Sequence, residues 1–282
     1  RWLPPIDFDI HGAEYLNDFL LAGDYDGDGR DEVLVSKMQA GGSKPICSFW
    51  AIDFDPAFNQ WRLLPEIKPF EEEDETRIYI KKDACVAGDF DGDGIDEIVI
   101  ARDWDYQDRH DNYMNRFWVM KYDTPNLSWQ NLGSEIDGLN AVIEFRSRKE
   151  VKFAVSGDFD GDGRDEIAMA QDGTNQFWVI KYDSGSGWIH FEGSDDEFDF
   201  QCFGKAPDQE AEFAVVADID GDGRDEIVVS ISDTNLFWVV KFDDILGWHL
   251  FEPNDDLDFN ASFACSPVHS DYNPNPPYSK YA

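Results

Sequence analysis

Asp24-Tyr25-Asp26-Gly27-Asp28-Gly29-Arg30-Asp31-Glu32 is a nine-residue loop that the chain uses four times. The further copies run from Asp89 to Glu97, Asp158 to Glu166 and Asp218 to Glu226. Each holds carboxylates at positions 1, 3, 5 and 9 and glycines at 4 and 6. Alternate residues of a tight turn face one point, so the acids at 1, 3 and 5 converge and the acid at 9 closes the set. Gly27 and Gly29 permit backbone angles that a side chain would resist. Carboxylates packed this closely repel one another unless a cation sits between them. Oxygen-only sites of roughly six to eight ligands suit calcium, whereas magnesium takes fewer protein ligands in a tighter octahedron.

The spacing therefore predicts four calcium ions, one per loop, each in a structural role. The expected ligands of the first are Asp24, Asp26, Asp28, the backbone carbonyl of Arg30, and Glu32. The second takes Asp89, Asp91, Asp93, Ile95 through its carbonyl, and Glu97. The third takes Asp158, Asp160, Asp162, Arg164 through its carbonyl, and Glu166. The fourth takes Asp218, Asp220, Asp222, Arg224 through its carbonyl, and Glu226. The acids at position 8, Asp31, Asp96, Asp165 and Asp225, are expected to point away from the ion and bond turns or neighbouring backbone.

Working outward, the loops start 65, 69 and 60 residues apart, and each sits in the same four-part unit. An apolar run such as Phe153-Ala154-Val155 enters the loop, and a second run such as Ile167-Ala168-Met169 leaves it. Two such runs around a tight turn read as a hairpin. A third run carries Phe-Trp, at Phe49-Trp50, Phe117-Trp118, Phe177-Trp178 and Phe237-Trp238, and the fourth centres on Trp61, Trp129, Trp188 or Trp248. Aromatic and β-branched runs favour strands, and nothing between them has a helical period. The chain is thus expected to be all-β, a β-propeller of four-stranded antiparallel blades. Stacking around an axis lets each sheet bury both faces. The expected single domain spans 1–282, with units near 15–65, 80–133, 149–192 and 209–252 and partial strands at 1–10 and 258–268. Either the terminal strands close a ring, or the ring needs more blades than this chain supplies.

Sixty acids face 23 bases, a formal charge of -37. That charge argues against nucleic acid and anionic membrane as partners. No apolar run approaches the roughly 18 residues that span a bilayer, so no membrane insertion is expected. The chain begins at Arg1 rather than Met, as a processed chain or a piece of a longer precursor would. Its four cysteines, Cys47, Cys85, Cys202 and Cys265, lack metal-ligand spacing. They are either two disulfides or buried thiols; Cys47 with Cys85 is one plausible bridge, leaving Cys202 with Cys265. Calcium loops and paired cysteines both place the protein outside the cytosol, as a secreted or extracellular chain.

The loops, with their preceding residues Gly23, Gly88, Gly157 and Ala217, resemble the calcium-binding repeats of integrin alpha chains, called FG-GAP repeats, and the related VCBS repeats of secreted proteins. The resemblance runs from about residue 15 to 255, with Glu at position 9 where the family often has Asp. It implies a propeller, commonly of seven blades in that family. It also implies a role among adhesion proteins, lectins or domains attached to polysaccharide-cleaving enzymes.

From this frame the expected function is a binding or adhesion module that is lectin-like, with a glycan or an extracellular protein as partner and no catalytic residue or bound cofactor besides calcium. Asn115, Asn175 and Asn235 precede the Phe-Trp runs and could help hold a sugar, although Phe and Trp there also read as blade core. The alternatives are a structural subunit that self-assembles through its terminal blade edges and a calcium-dependent polysaccharide-acting enzyme. The unrepeated insert Asp103 to Asp111, with His110, is the enzyme reading's best foothold. No hydrolase motif is present, so the expectation is that the chain is not an enzyme.

Overall fold

In the computed structural model the described residues are 20–39, 46–65, 67, 79–103, 113–132, 142–147, 150–191, 199–201, 210–232 and 237–251. They form four antiparallel sheets in chain order. The first is β1 (Leu20–Gly23), β2 (Glu32–Gln39), β3 (Ile46–Asp55) and β4 (Gln60–Leu63). The second comprises β5 (Tyr79–Ile80), β6 (Val86–Gly88), β7 (Glu97–Asp103), β8 (Tyr113–Asp123), β9 (Ser128–Asn131) and β10 (Val142–Ser147). The third comprises β11 (Val151–Gly157), β12 (Glu166–Gln171), β13 (Gln176–Asp183), β14 (Gly187–His190) and β15 (Phe200–Gln201). The fourth is β16 (Ala211–Ala217), β17 (Glu226–Ile231), β18 (Phe237–Asp243) and β19 (Gly247–Leu250).

Each acidic loop is the turn of its sheet's first hairpin, closed by Gly23 opposite Glu32, Gly88 opposite Glu97, Gly157 opposite Glu166 and Ala217 opposite Glu226. The second sheet departs from a plain four-strand meander. A short turn at Lys82–Ala84 splits its outer strand, so β5 and β6 pair with opposite ends of β7. Its other edge is likewise shared, β9 and β10 taking successive parts of β8.

The sheets are blade-like in how they pack. Every residue of β12 is buried, because other sheets cover both of its faces. Ile167 and Met169 enter one apolar cluster with the second sheet, while Ala168 and Ala170 enter another with the fourth. Among the described residues the fourth sheet is covered on one face only. Ile227, Val229 and Ile231 are buried, while Phe213, Val215 and Phe237 are about half exposed. Among the described residues the sheets do not close into a ring, and the expected partial strands at 1–10 and 258–268 lie outside those residues.

Three of the four lone tryptophans join one sheet to the next, while Trp61 packs on Phe54 of its own sheet at 4.9 Å. Trp129 packs edge-on against Tyr25 at 6.1 Å between ring centroids, Trp188 against Phe90 at 5.6 Å, and Trp248 against Phe159 at 5.6 Å. Position 2 of one loop therefore rests on the fourth strand of the following sheet. Phe117, Trp118, Phe177, Trp178 and Asn175 are buried in the sheets' core, whereas Phe237 is half exposed and Trp50 and Trp238 are half-buried. The side chains of Asn115 and Asn235 lie outside the described residues. Cys85 Sγ is held between the Ala101 N–H at 3.4 Å and the Lys81 carbonyl at 3.5 Å. Of Cys47 only the backbone is described; Cys202 and Cys265, and nearly all of the 103–111 insert, lie outside the described residues.

Candidate metal centre

All four loops are built by the same hydrogen bonds. The position-1 aspartate accepts with both oxygens: Asp89 Oδ1 takes the Asp93 N–H at 3.0 Å and Oδ2 the Gly94 N–H at 2.8 Å. Asp24, Asp158 and Asp218 do the same in their loops. The position-3 aspartate accepts from the position-5 N–H at 3.1 to 3.2 Å. Both glycines are left-handed, Gly92 at φ 77° and Gly94 at φ 83°. At position 9 each glutamate turns Oε2 onto the position-2 N–H, at 2.9 Å for Glu32, Glu97 and Glu166 and 2.7 Å for Glu226.

The folding of these loops brings carboxylates together. Ligand atoms of Asp24, Asp26 and Glu32 lie within 4.8 Å of one another, as do those of Asp89, Asp91 and Glu97 and of Asp158, Asp160 and Glu166. In the fourth loop the converging set is Asp218, Asp220 and Asp222. Asp28, Asp93 and Asp162 are exposed and stand outside these tightest sets. The position-9 glutamates are buried beneath the loops, and burial is the main reason their acidity is suppressed. Glu32 and Glu97 are pushed up to about 8 and Glu166 to about 9. Among the described residues, Oε1 of Glu32, 1% exposed as a residue, has no hydrogen-bond partner. An oxygen buried without a partner costs free energy. On a carboxylate that converges with two aspartates, it marks a place where a divalent cation would supply the missing partner. The residues present fit such an ion in all four loops.

The position-8 acids do more than cap turns. Asp96 accepts the Asp24 N–H at 2.9 Å and donates its own N–H to the Asp24 carbonyl at 2.9 Å. Asp165 binds Asp89, and Asp225 binds Asp158, in the same two-point way. Each acid thus staples its loop to the preceding one. The approach is so close that a Cβ on Gly88 would lie 2.3 Å from Asp165 Oδ2. At position 7, Arg164 lies against Gly92 and Arg224 against Gly161, so these side chains serve the contact between sheets. Arg30 pairs instead with Asp28 at 2.8 Å.

A set of cations that the sequence reading missed stands beside the loops. Lys121 Nζ lies 2.6 Å from Asp91, 2.7 Å from Asp93 and 2.9 Å from Glu97. Lys241 Nζ lies 2.5 Å from Asp220, 2.7 Å from Asp222 and 3.2 Å from Glu226. Lys181 meets Asp160 at 3.0 Å. The signal was present in the sequence: each lysine follows the Phe of a Phe-Trp run by four residues, at Phe117, Phe177 and Phe237. In the first sheet the residue in that register is Asp53.

A family profile described as an FG-GAP-like repeat matches residues 158–229, which covers the third and fourth loops. No curated protein matches the chain at a significant level. Among solved structures, a rhamnogalacturonan lyase of Bacillus licheniformis is similar over 81% of this chain and 47% of its own, at 17% identity and a TM-score of 0.44. The chain thus spans less than half of that lyase's length. The expectation that the chain is not an enzyme is corrected here: a solved structure similar to it is by its name a lyase, which gives that expectation no ground. The missing hydrolase motif gives none either, because catalytic groups can be assembled from separate blades only on folding. At this TM-score the likeness extends to neither substrate nor mechanism. Among the described residues no helix is long and apolar enough to cross a membrane.

Proposed function

We propose that the chain is a calcium-clamped module in which the four sheets are blades of a propeller, forming one domain over 1–282 with FG-GAP or VCBS character. Each loop holds one calcium through positions 1, 3, 5, 7 and 9, four ions in all, and the ions keep the loops shaped for the staples between sheets. The observation that carries this reading is the buried Oε1 of Glu32, unpartnered among the described residues, on a carboxylate that converges with those of Asp24 and Asp26. Such loops fill best where calcium is near millimolar, so the module works outside the cytosol. The position-5 acids Asp28, Asp93, Asp162 and Asp222 are exposed. That leaves outer coordination positions to water or to oxygen atoms of a ligand. A polysaccharide, rich in such oxygens, is the ligand class we assign, whether the module binds it or acts on it.

Equilibrium dialysis of the chelated and refilled protein is expected to give four calcium ions per chain. The metal-free protein is expected to melt at lower temperature, because a ligand bound only to the folded state adds stability by mass action. An unchanged melt after verified calcium removal overturns the structural role. A panel of neutral and acidic polysaccharides, assayed with calcium for both retention and chain cleavage, tests the ligand class. Neither retention nor cleavage of any member removes it.

A further inference from the structure

The four loops differ in one buried place. On the third strand of each blade, the residue facing the loop is Asp53, Lys121, Lys181 or Lys241. The ammonium of Lys121 and that of Lys241 each sit among three loop carboxylates, at 2.6 to 2.9 Å and 2.5 to 3.2 Å. Each shares two acids with the converging set of its loop, Asp91 and Glu97 for Lys121 and Asp220 and Asp222 for Lys241. The first loop has a carboxylate there instead. Asp53 is 2% exposed and is paired with Arg62, its cross-strand partner on β4. Arg62 also reaches Asp26 at 3.2 Å, but its side chain is half exposed; among the described residues Glu32 Oε1 has no hydrogen-bond partner, whereas Glu97 Oε1 and Glu226 Oε1 each have a lysine ammonium at 2.9 and 3.2 Å. The equivalents of Arg62 in the other blades are Gln130, Ile189 and His249.

We infer that the loops form a graded set: the first, with Asp53 in the place of a lysine, holds its divalent cation most tightly, and Lys121, Lys181 and Lys241 are tethered counter-cations that compete with metal in the other three. This rests on the reading of the loops as calcium sites. The physical reason is charge at short range. A divalent ion entering the second, third or fourth loop must displace an ammonium that stays tethered a few ångströms away, and like charges at that distance repel. In the first loop the same position adds an attractive carboxylate. Arg62 swings into water when the ion arrives, since half its side chain is already there. Arg30, on Asp28 at the rim, is also more than half exposed and is screened by solvent. The arrangement has a use. With its lysines in place, a loop keeps its acids neutralised and its fold intact at low calcium, while the first loop depends on the ion. Three sites then respond to changes in external calcium around a permanently loaded one.

The test is a calcium titration of the whole chain by isothermal calorimetry, with terbium luminescence as a second reading. We expect one tight site and a class of three weaker ones, separated by about tenfold or more in Kd. Asp24→Asn should abolish the tight class alone. Asp53→Lys should merge it with the weak class, and Lys121→Met should tighten one weak site by about tenfold. Because Asp53→Lys removes the partner of Arg62 and can unfold the blade, Lys121→Met and Lys241→Met stand as independent variants, with circular dichroism to check the fold. Four indistinguishable sites overturn the grading but leave the calcium reading intact. So does an unchanged weak class in a folded Lys121→Met protein. No binding at any loop overturns the calcium reading itself.

Discussion

At the scale of single residues, the position-9 glutamates and the staple aspartates set how the protein responds to pH. Glu32, Glu97 and Glu166 keep their protons to about 8, 8 and 9, mainly because they are buried, against an ordinary value of 4.5. Between those limits the metal-free folded chain holds more protons than the unfolded chain, so its stability falls as pH rises. The contribution is whole below 4.5 and gone above the folded values. Melting in chelator from about pH 5 to about pH 9 should therefore show a declining midpoint. Saturating calcium should flatten or reverse the decline, because the ion binds the deprotonated form. A chelated protein that grows more stable over this range contradicts the burial of these groups. The staples carry a second prediction. Gly88→Ala places a methyl against Asp165 and should cost about 1 to 3 kcal/mol, as overpacking does. Asp165→Ala leaves the Asp89 N–H unpaired and should cost about as much. The double variant should lose less than the two costs together, since one change relieves the clash of the other. Denaturant melts of the three proteins check this, and simple additivity would show that the two groups do not touch.

At the scale of elements, the fourth strand of each blade matters more for the neighbouring blade than for its own. Trp188 on β14 meets Phe90 of the preceding loop and Tyr182 of its own sheet. Trp188→Ala should destabilise the protein by about 3 kcal/mol, the low end for a large aromatic because the ring is only half-buried. It should also weaken calcium binding at the loop that carries Phe90, which lies on a different sheet. A titration in which all loops keep their affinity would confine the tryptophan to packing. The strands themselves were legible from their aromatic and β-branched runs, as was their antiparallel order. The split outer strand of the second sheet was not, because Lys82–Ala84 breaks it by a local turn with no glycine or proline to announce it.

At the scale of the whole molecule, stability should be modular in metal yet shared through the staples. Asp160→Ala is expected to remove one calcium of four and to lower the melting midpoint, with the remaining sites filled, as measured by dialysis and calorimetry. Loss of all four ions from that one change would mean that the blades load as a single unit. The fourth sheet differs from the others at the edge of its loop. The residue before the fourth loop is Ala217, where the first three loops have Gly23, Gly88 and Gly157. In those three a Cβ would lie 2.3 to 2.7 Å from the stapling aspartate of the next loop. A further blade cannot therefore dock on the fourth as the others dock on one another without a shift at Ala217.

The sequence by itself determined the repeat, the strands and the acids of the loops. These depend on local rules: alternation sets the faces of a strand, and glycine permits the tight turn. It also placed the position-8 acids away from the metal set. Only the tertiary structure decided what those acids bind, because Asp96, Asp165 and Asp225 find their partners 72, 76 and 67 residues away on the preceding blade. It also decided that Trp129, Trp188 and Trp248 are joints between neighbouring sheets. Above all it decided that Lys121, Lys181 and Lys241 reach into the loops while Asp53 stands in their register. A charge on a strand has no fixed partner until the hairpin beside it is folded, and neighbouring strands then bring the two within hydrogen-bond reach.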